Sequence, residues 1–178
     1  GVVNIGTITP YAQLGFNAAG TFGSFDMQRY VAKAGTPVGN GSLYAAFVQT
    51  DFGGWRDNST ASRPLLSLGY QGDLGERDHL GVTAVGAHNE YEIPGPLTQA
   101  QFDSAPQQAN PTYLARHERR DNTLARFGAI YGHDFGESGV LAVTAFDSPK
   151  HLVRSERNTY RIFERNQVGG SASYAQKL

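Results

Sequence analysis

Apolar and polar positions alternate with a period of two along most of this chain, and clusters of Gly, Asn, Asp and Ser break the alternation at intervals. The pattern predicts β-strands joined by turns, because successive strand side chains point to opposite faces. In the first run, residues 12–22, Leu14, Phe16, Ala18 and Phe22 share one face. Gln13, Gly15, Asn17, Ala19 and Thr21 share the other. A Gly23-Ser24 turn leads into 25–34, where Arg29 and Lys33 fall in phase with Val31 and leave the facing open. A Gly- and Pro-rich turn precedes the third run, 42–52, and a polar loop over 53–63 precedes a fourth run opened by Pro64. There Leu66, Leu68 and Tyr70 oppose Ser67, Gly69 and Gln71. The fifth run, 79–91, sets Leu80, Val82 and Ala84 in phase. A long connection rich in Pro, Gln and Asn then reaches to about residue 121. The sixth run, 122–134, puts Phe127, Ala129 and Tyr131 against Arg126, Gly128 and Gly132. The seventh starts at Gly139, with Leu141, Val143 and Ala145 in phase; a charged stretch over 150–165 holds the next reversal, and a last run covers 168–178.

Two regularities narrow the fold class. The runs are about ten residues or longer, the length a tilted strand needs to cross a bilayer, whereas a globular strand averages about five or six. Connections after strands two, four and six are short, and those after three, five and seven are expected to be longer and polar. An all-β, antiparallel up-and-down transmembrane β-barrel gives that alternation, with about eight of its strands present here. The face opposite the apolar one reads as small and polar, which suits a wet interior. Tyr70, Tyr91, Tyr131 and Phe135 near strand ends fit aromatic girdles. Lipid contact is expected for Leu14, Phe16, Leu66, Leu68, Leu80, Val82, Phe127 and Leu141.

Composition changes this picture little. Of the 178 residues 39% are hydrophobic, and no stretch approaches the roughly 20 apolar residues of a spanning helix. Fifteen basic and 16 acidic side chains give a net charge of −1, without the basic excess that nucleic-acid binding requires. Cysteine is absent, while Gly, Tyr and Phe are abundant. The opening Gly1-Val2-Val3-Asn4-Ile5 carries no initiator Met, charged n-region or apolar h-region, and is expected to lie inside a longer protein.

Several short segments carry a family resemblance. Gly1-Val2-Val3-Asn4-Ile5 resembles the Gly-Gly-Val-Val-Asn segment that closes the plug of TonB-dependent receptors. Gly20-Thr21-Phe22-Gly23-Ser24-Phe25 is similar to that family's first hairpin, and Trp55-Arg56-Asp57-Asn58-Ser59 to its second external loop. Ile93-Pro94-Gly95-Pro96-Leu97-Thr98 resembles the start of the third. Order and spacing are most similar to the ferric citrate receptor branch. The resemblance implies a plug end at residues 1–10 and the N-terminal part of a barrel at 11–178, in a bacterial outer membrane. It departs from the family in length, since a receptor barrel has about 22 strands. The implied activity is transport of an iron chelate, of siderophore or ferric citrate type, into the periplasm. Its partners would be the chelate, the TonB complex acting through a plug region absent here, and outer-membrane lipid.

Candidate chemistry is sparse. Arg116, Arg119 and Arg120 close the long connection and, by that analogy, offer guanidinium groups to a carboxylate-rich chelate. The plain alternative is a solvated loop base, with charges paired to Glu118, Asp121 or lipid phosphates. Arg126 is in phase with the interior face. His79, His88, His117, His133 and His151 show no metal-ligand spacing, so neither a metal nor a cofactor is expected. Trp55 and Arg56 read as surface anchors of an external loop. Neither a phosphate loop nor a serine nucleophile elbow is present, and an enzyme is not expected. The main rival is a small self-contained outer-membrane barrel with an adhesion or anchoring role, which requires the last strand to pair with the first. A barrel-borne hydrolase and a soluble carbohydrate-binding β-domain are further rivals.

Overall fold

In the computed structural model, residues 15–156 and 159–176 are described. Leu14 and the expected plug end at 1–10 lie outside them. The chain is all-β, with eight antiparallel strands in strict sequence order in one sheet. They are β1 (Gly15–Gly23), β2 (Met27–Val38), β3 (Gly41–Phe52), β4 (Ala61–Asp73), β5 (Asp78–Glu92), β6 (Arg119–Asp134), β7 (Val140–Glu156) and β8 (Thr159–Ala175). The sheet is an open, partial barrel: β1 and β8 are its edges and do not pair with each other among the described residues. The closure that a self-contained eight-stranded barrel requires is therefore not made.

Each strand is seated by the local sequence. β2 and β3 turn at Gly39, whose φ of +58° suits a residue without a side chain. Gly41 and Gly72 face each other, and a Cβ on Gly72 would come within 2.7 Å of the Gly41 Cα; the Tyr70 hydroxyl fills the space above both. The β1–β2 hairpin turns two residues later than expected, at Phe25 and Asp26, both in left-handed conformations. Phe25 is held there by an edge-on contact with Phe52 and by the Gly53 amide, which donates to its carbonyl.

The largest departure from the sequence reading is at β7 and β8. The charged stretch was expected to hold a long loop, yet the two strands pair from Val140–Ala175 up to Glu156–Thr159, leaving only residues 157–158 between them. Apolar cross-strand pairs persist among the charges, Val153 with Ile162 on one face and Leu152 with Phe163 on the other, so the ladder continues through the charged stretch. β4 likewise begins before Pro64, which sits inside the strand.

There is no closed core. Ala46 and Ala109 are the buried hydrophobic residues among those described. The chain exposes 11833 Å², against about 8,400 Å² for a compact monomer of this size. Among the described residues both sheet faces are uncovered, and the two edges leave a row of 9 and a row of 17 residues with one side unpaired.

Register sorts the side chains. Phe16, Ala34, Ala45, Leu68, Ala84 and Phe127 form one directly paired row from β1 to β6. Phe16, Leu66, Leu68, Leu80, Val82, Phe127 and Leu141 all fall on this apolar face, as expected. The opposite face differs from expectation. It is not only small and polar, because Val31, Val48, Leu65, Ala87 and Leu124 make an apolar row across it, with Ile130 and Phe146 nearer the turns.

The apolar stripe also drifts. Its turn-end margin is Leu43 on β3 and Leu141 on β7. Followed across the ladder, the row of Leu43 passes Tyr70, Val82 and Ala129 and arrives at Ala145, four residues beyond Leu141. Four strand steps thus shift the stripe by four residues. Asp147, in the row of Phe127, lies above the stripe on β7 rather than within it.

Candidate functional site

The longer connections gather at one end of the sheet. Residues 53–60 join β3 to β4, and 93–118 join β5 to β6. The second connection carries two short helices. In α1 (Gln99–Ser104) Thr98 caps the first turn, with Gln101 reaching back to the cap amide. In α2 (Pro111–Ala115) Asn110 is the cap and Pro111 occupies a first-turn position. Among the described residues no helix is long and apolar enough to cross a membrane.

The two connections are clasped together. Arg56 donates to the carbonyl of Gly95 at 2.8 Å and to that of Gln108 from Nε and Nη2. Asn58 donates to the Ile93 carbonyl at 2.9 Å, and the Asp57 amide to that of Gln107. Arg56 therefore serves as an internal rivet. Trp55 beside it is 42% exposed and borders a cleft with Leu97, Phe102 and Pro106. At the base of the long connection, buried Glu118 accepts a hydrogen bond from Ser155 of β7, and the Arg119 amide donates to Ser155 Oγ at 2.7 Å.

The three arginines singled out by sequence do not converge. Arg116 caps α2 at its C-terminal end. Arg119 and Arg120 are successive strand residues and leave β6 on opposite faces. Arg119, on the apolar side, stands 4.0 Å from Glu90 and over the Tyr160 ring. Arg120 lies on the other face, donating to the carbonyls of Ser155 and Arg119.

Sequence reasoning missed the company Arg120 keeps. Tyr91, Arg120, Arg154 and Arg161 occupy one directly paired row across β5 to β8. Lys150 and Arg165 pair with each other on the same face four residues below. Among the described strand residues, every cation except Arg119 is on this face: Arg29, Lys33 and Arg63 on β2 and β4, Arg126 below Arg120, and the five just named. The carboxylates Asp51, Glu90, Glu92, Asp121, Asp147 and Glu164 are on the apolar side, above its stripe. No linear motif announces this partition, which follows from residue parity once the registers are fixed. A cleft of about 510 Å³ at the rim takes in Asp26, Asp51, Glu90, Glu92, His117 and Arg119.

Four histidines sit against carboxylates of a neighbouring strand: His79 with Asp73, His88 with Asp121, His133 with Asp78, and His151 with Glu164. A comparison of the chain with protein-family models gives no match, and a comparison with curated proteins gives none either.

Proposed function

We propose that this chain is the N-terminal part of the barrel of a TonB-dependent outer-membrane receptor that takes up an anionic iron chelate. The observation that carries the membrane part is the drift of the apolar stripe. A hydrocarbon slab is level, so on tilted strands the stripe must slip along the ladder. One residue per strand, with a rise near 3.3 Å and a spacing near 4.8 Å, corresponds to a tilt of about 35°, within the range of membrane barrels. A soluble sheet that covers its apolar face with a second layer has no reason to keep such a level.

Three further features support the reading. The absence of a closed core and the uncovered apolar face suit a sheet whose solvent on one side is lipid. Two long unpaired edges are a liability in water and are removed when more strands complete the barrel. The apolar row on the opposite face is the surface that a plug inside the barrel would cover. Tyr70, Tyr131 and Tyr174 stand at the turn-end margin of the stripe, where an aromatic girdle belongs.

The cargo part rests on the charge partition. The interior wall is basic toward the loop end, and the row Arg120, Arg154 and Arg161 sets three guanidinium groups side by side. Arg120 and Arg154 are directly opposed across the ladder, a costly arrangement for like charges, and a polycarboxylate chelate would relieve that cost with charge-assisted hydrogen bonds. Arg120 keeps the role suggested by sequence, while Arg119 faces outward. The test is chelate binding to the receptor that contains this chain, with ferric citrate as probe. R120A and R154A should each weaken binding at least about tenfold, as loss of a charged hydrogen bond does, and R119A should leave it unchanged. Equal affinity of R120A, R154A and wild type would remove the cargo assignment.

A further inference from the structure

We propose that His88, Glu90 and Asp121 form a binding site for a first-row divalent cation on the outer side of the sheet, above the apolar stripe. His88 and Glu90 are two residues apart on β5 and share a face, and Asp121 of β6 is directly opposite Glu90. Each side chain offers one ligand atom, and these atoms all lie within 4.8 Å of one another. This surface is on the opposite side of the sheet from the Arg120 row, so the site does not depend on the cargo or membrane assignment.

The electrostatics point to a missing positive charge. Glu90 and Asp121 are directly opposed carboxylates, an arrangement that destabilises a strand pair. Most strand carboxylates here hold a hydrogen bond, Asp78, Glu92 and Glu164 among them. Neither Glu90 nor Asp121 accepts one among the described residues: the nearest cationic groups are Arg119 at 4.0 Å and His88 at 3.6 Å. Arg119 is a poor neutraliser, since it also lies over Tyr160 at 5.4 Å and its Nε has no hydrogen-bond partner. His88 is positioned by Thr123, whose hydroxyl is 3.0 Å from its Nδ1. One imidazole nitrogen and two carboxylate oxygens suit a borderline cation such as Mn²⁺ or Zn²⁺, with water completing the coordination. A linear motif search overlooks the site, because its third ligand arrives through cross-strand register.

Titration of the full chain in detergent micelles with Mn²⁺, followed by the loss of the free-ion paramagnetic resonance signal, tests the proposal. One saturable site is expected, emptied by Zn²⁺, which binds such donors more tightly. E90Q, D121N and H88Q should each weaken it at least about tenfold, the loss that even an outer-shell partner causes; E164Q should not. Mn²⁺ should also raise the unfolding midpoint of the wild type and not of E90Q. E90Q without metal should be no less stable than wild type, since the substitution removes a repulsion; a purely structural ion pair with Arg119 predicts the reverse. No saturable binding at millimolar Mn²⁺, or equal binding by E90Q and D121N, would overturn the site.

Discussion

Arg56 of the β3–β4 connection and Gln108 of the β5–β6 connection are joined by two hydrogen bonds, from Nε at 3.1 Å and Nη2 at 2.8 Å to one carbonyl oxygen. With the bond to Gly95, a single guanidinium closes two loops that are far apart in sequence. Bonds to a charged donor contribute about 1.5–3 kcal/mol each, but only part of the long loop depends on them. R56A should therefore leave global stability within about 1 kcal/mol and speed amide hydrogen exchange over residues 93–110. R56K should recover part of the protection, because lysine cannot span the fork. Unchanged exchange in R56A would show that the clasp does not hold the loop.

The buried couple of Ser155 and Glu118 closes the same loop at its base. Ser155 is 4% and Glu118 6% exposed, so losing the hydroxyl leaves a carboxylate without its donor. S155A should lower stability by about 1–3 kcal/mol, the usual cost of an unsatisfied buried group. Urea unfolding in lipid vesicles measures it, and a change below about 0.5 kcal/mol would mean that water replaces the hydroxyl.

Much of this fold was legible in the alternation of residues, and the reasons for the failures are specific. Leu66, Leu68, Leu80, Val82 and Phe127 were placed on one face because a strand's parity is local. The charge of residues 150–165 points to a reversal with a longer polar connection, although Val153 and Ile162 keep the two-residue beat of the apolar face. The facing of β2 stayed open because Arg29, Val31 and Lys33 are in phase; the register puts all three on the basic face. Helix α1 was overlooked although Thr98 and Gln101 spell a capping box. The arginine row and the His88 cluster were not legible at all, since both depend on which residue meets which across the ladder.

Charge placement on the two faces should be strongly asymmetric. Phe127 is on the apolar side, and Ser173 of β8 is on the other. F127R should cost about 2–4 kcal/mol in a bilayer, and S173R should stay within about 0.5 kcal/mol. Equilibrium unfolding in vesicles compares them, and equal penalties would argue against a lipid-facing Phe127.

Asp78 begins β5 at the turn end, outside the apolar stripe. The Tyr131 hydroxyl donates to it and His133 stands 2.7 Å away, which together hold its carboxyl below the ordinary carboxylate range. A carboxylate with a depressed folded-state pKa adds stability above its unfolded value, near pH 4, and loses it as pH falls through the folded value. Acid unfolding of the wild type should therefore include a limb below about pH 4 that D78N lacks. Identical acid limbs in the two proteins would show that Asp78 is not linked to folding.

The central claim is that one face of this sheet meets hydrocarbon and the other meets water. The chain has no cysteine, so single Cys substitutions at each position from 124 to 131 can carry a nitroxide label in reconstituted vesicles. Collision rates with oxygen, which concentrates in lipid, should peak at 125, 127, 129 and 131; those with a polar nickel chelate should peak at 124, 126, 128 and 130. A flat profile, or nickel access at Phe127 as high as at Arg126, would contradict the account.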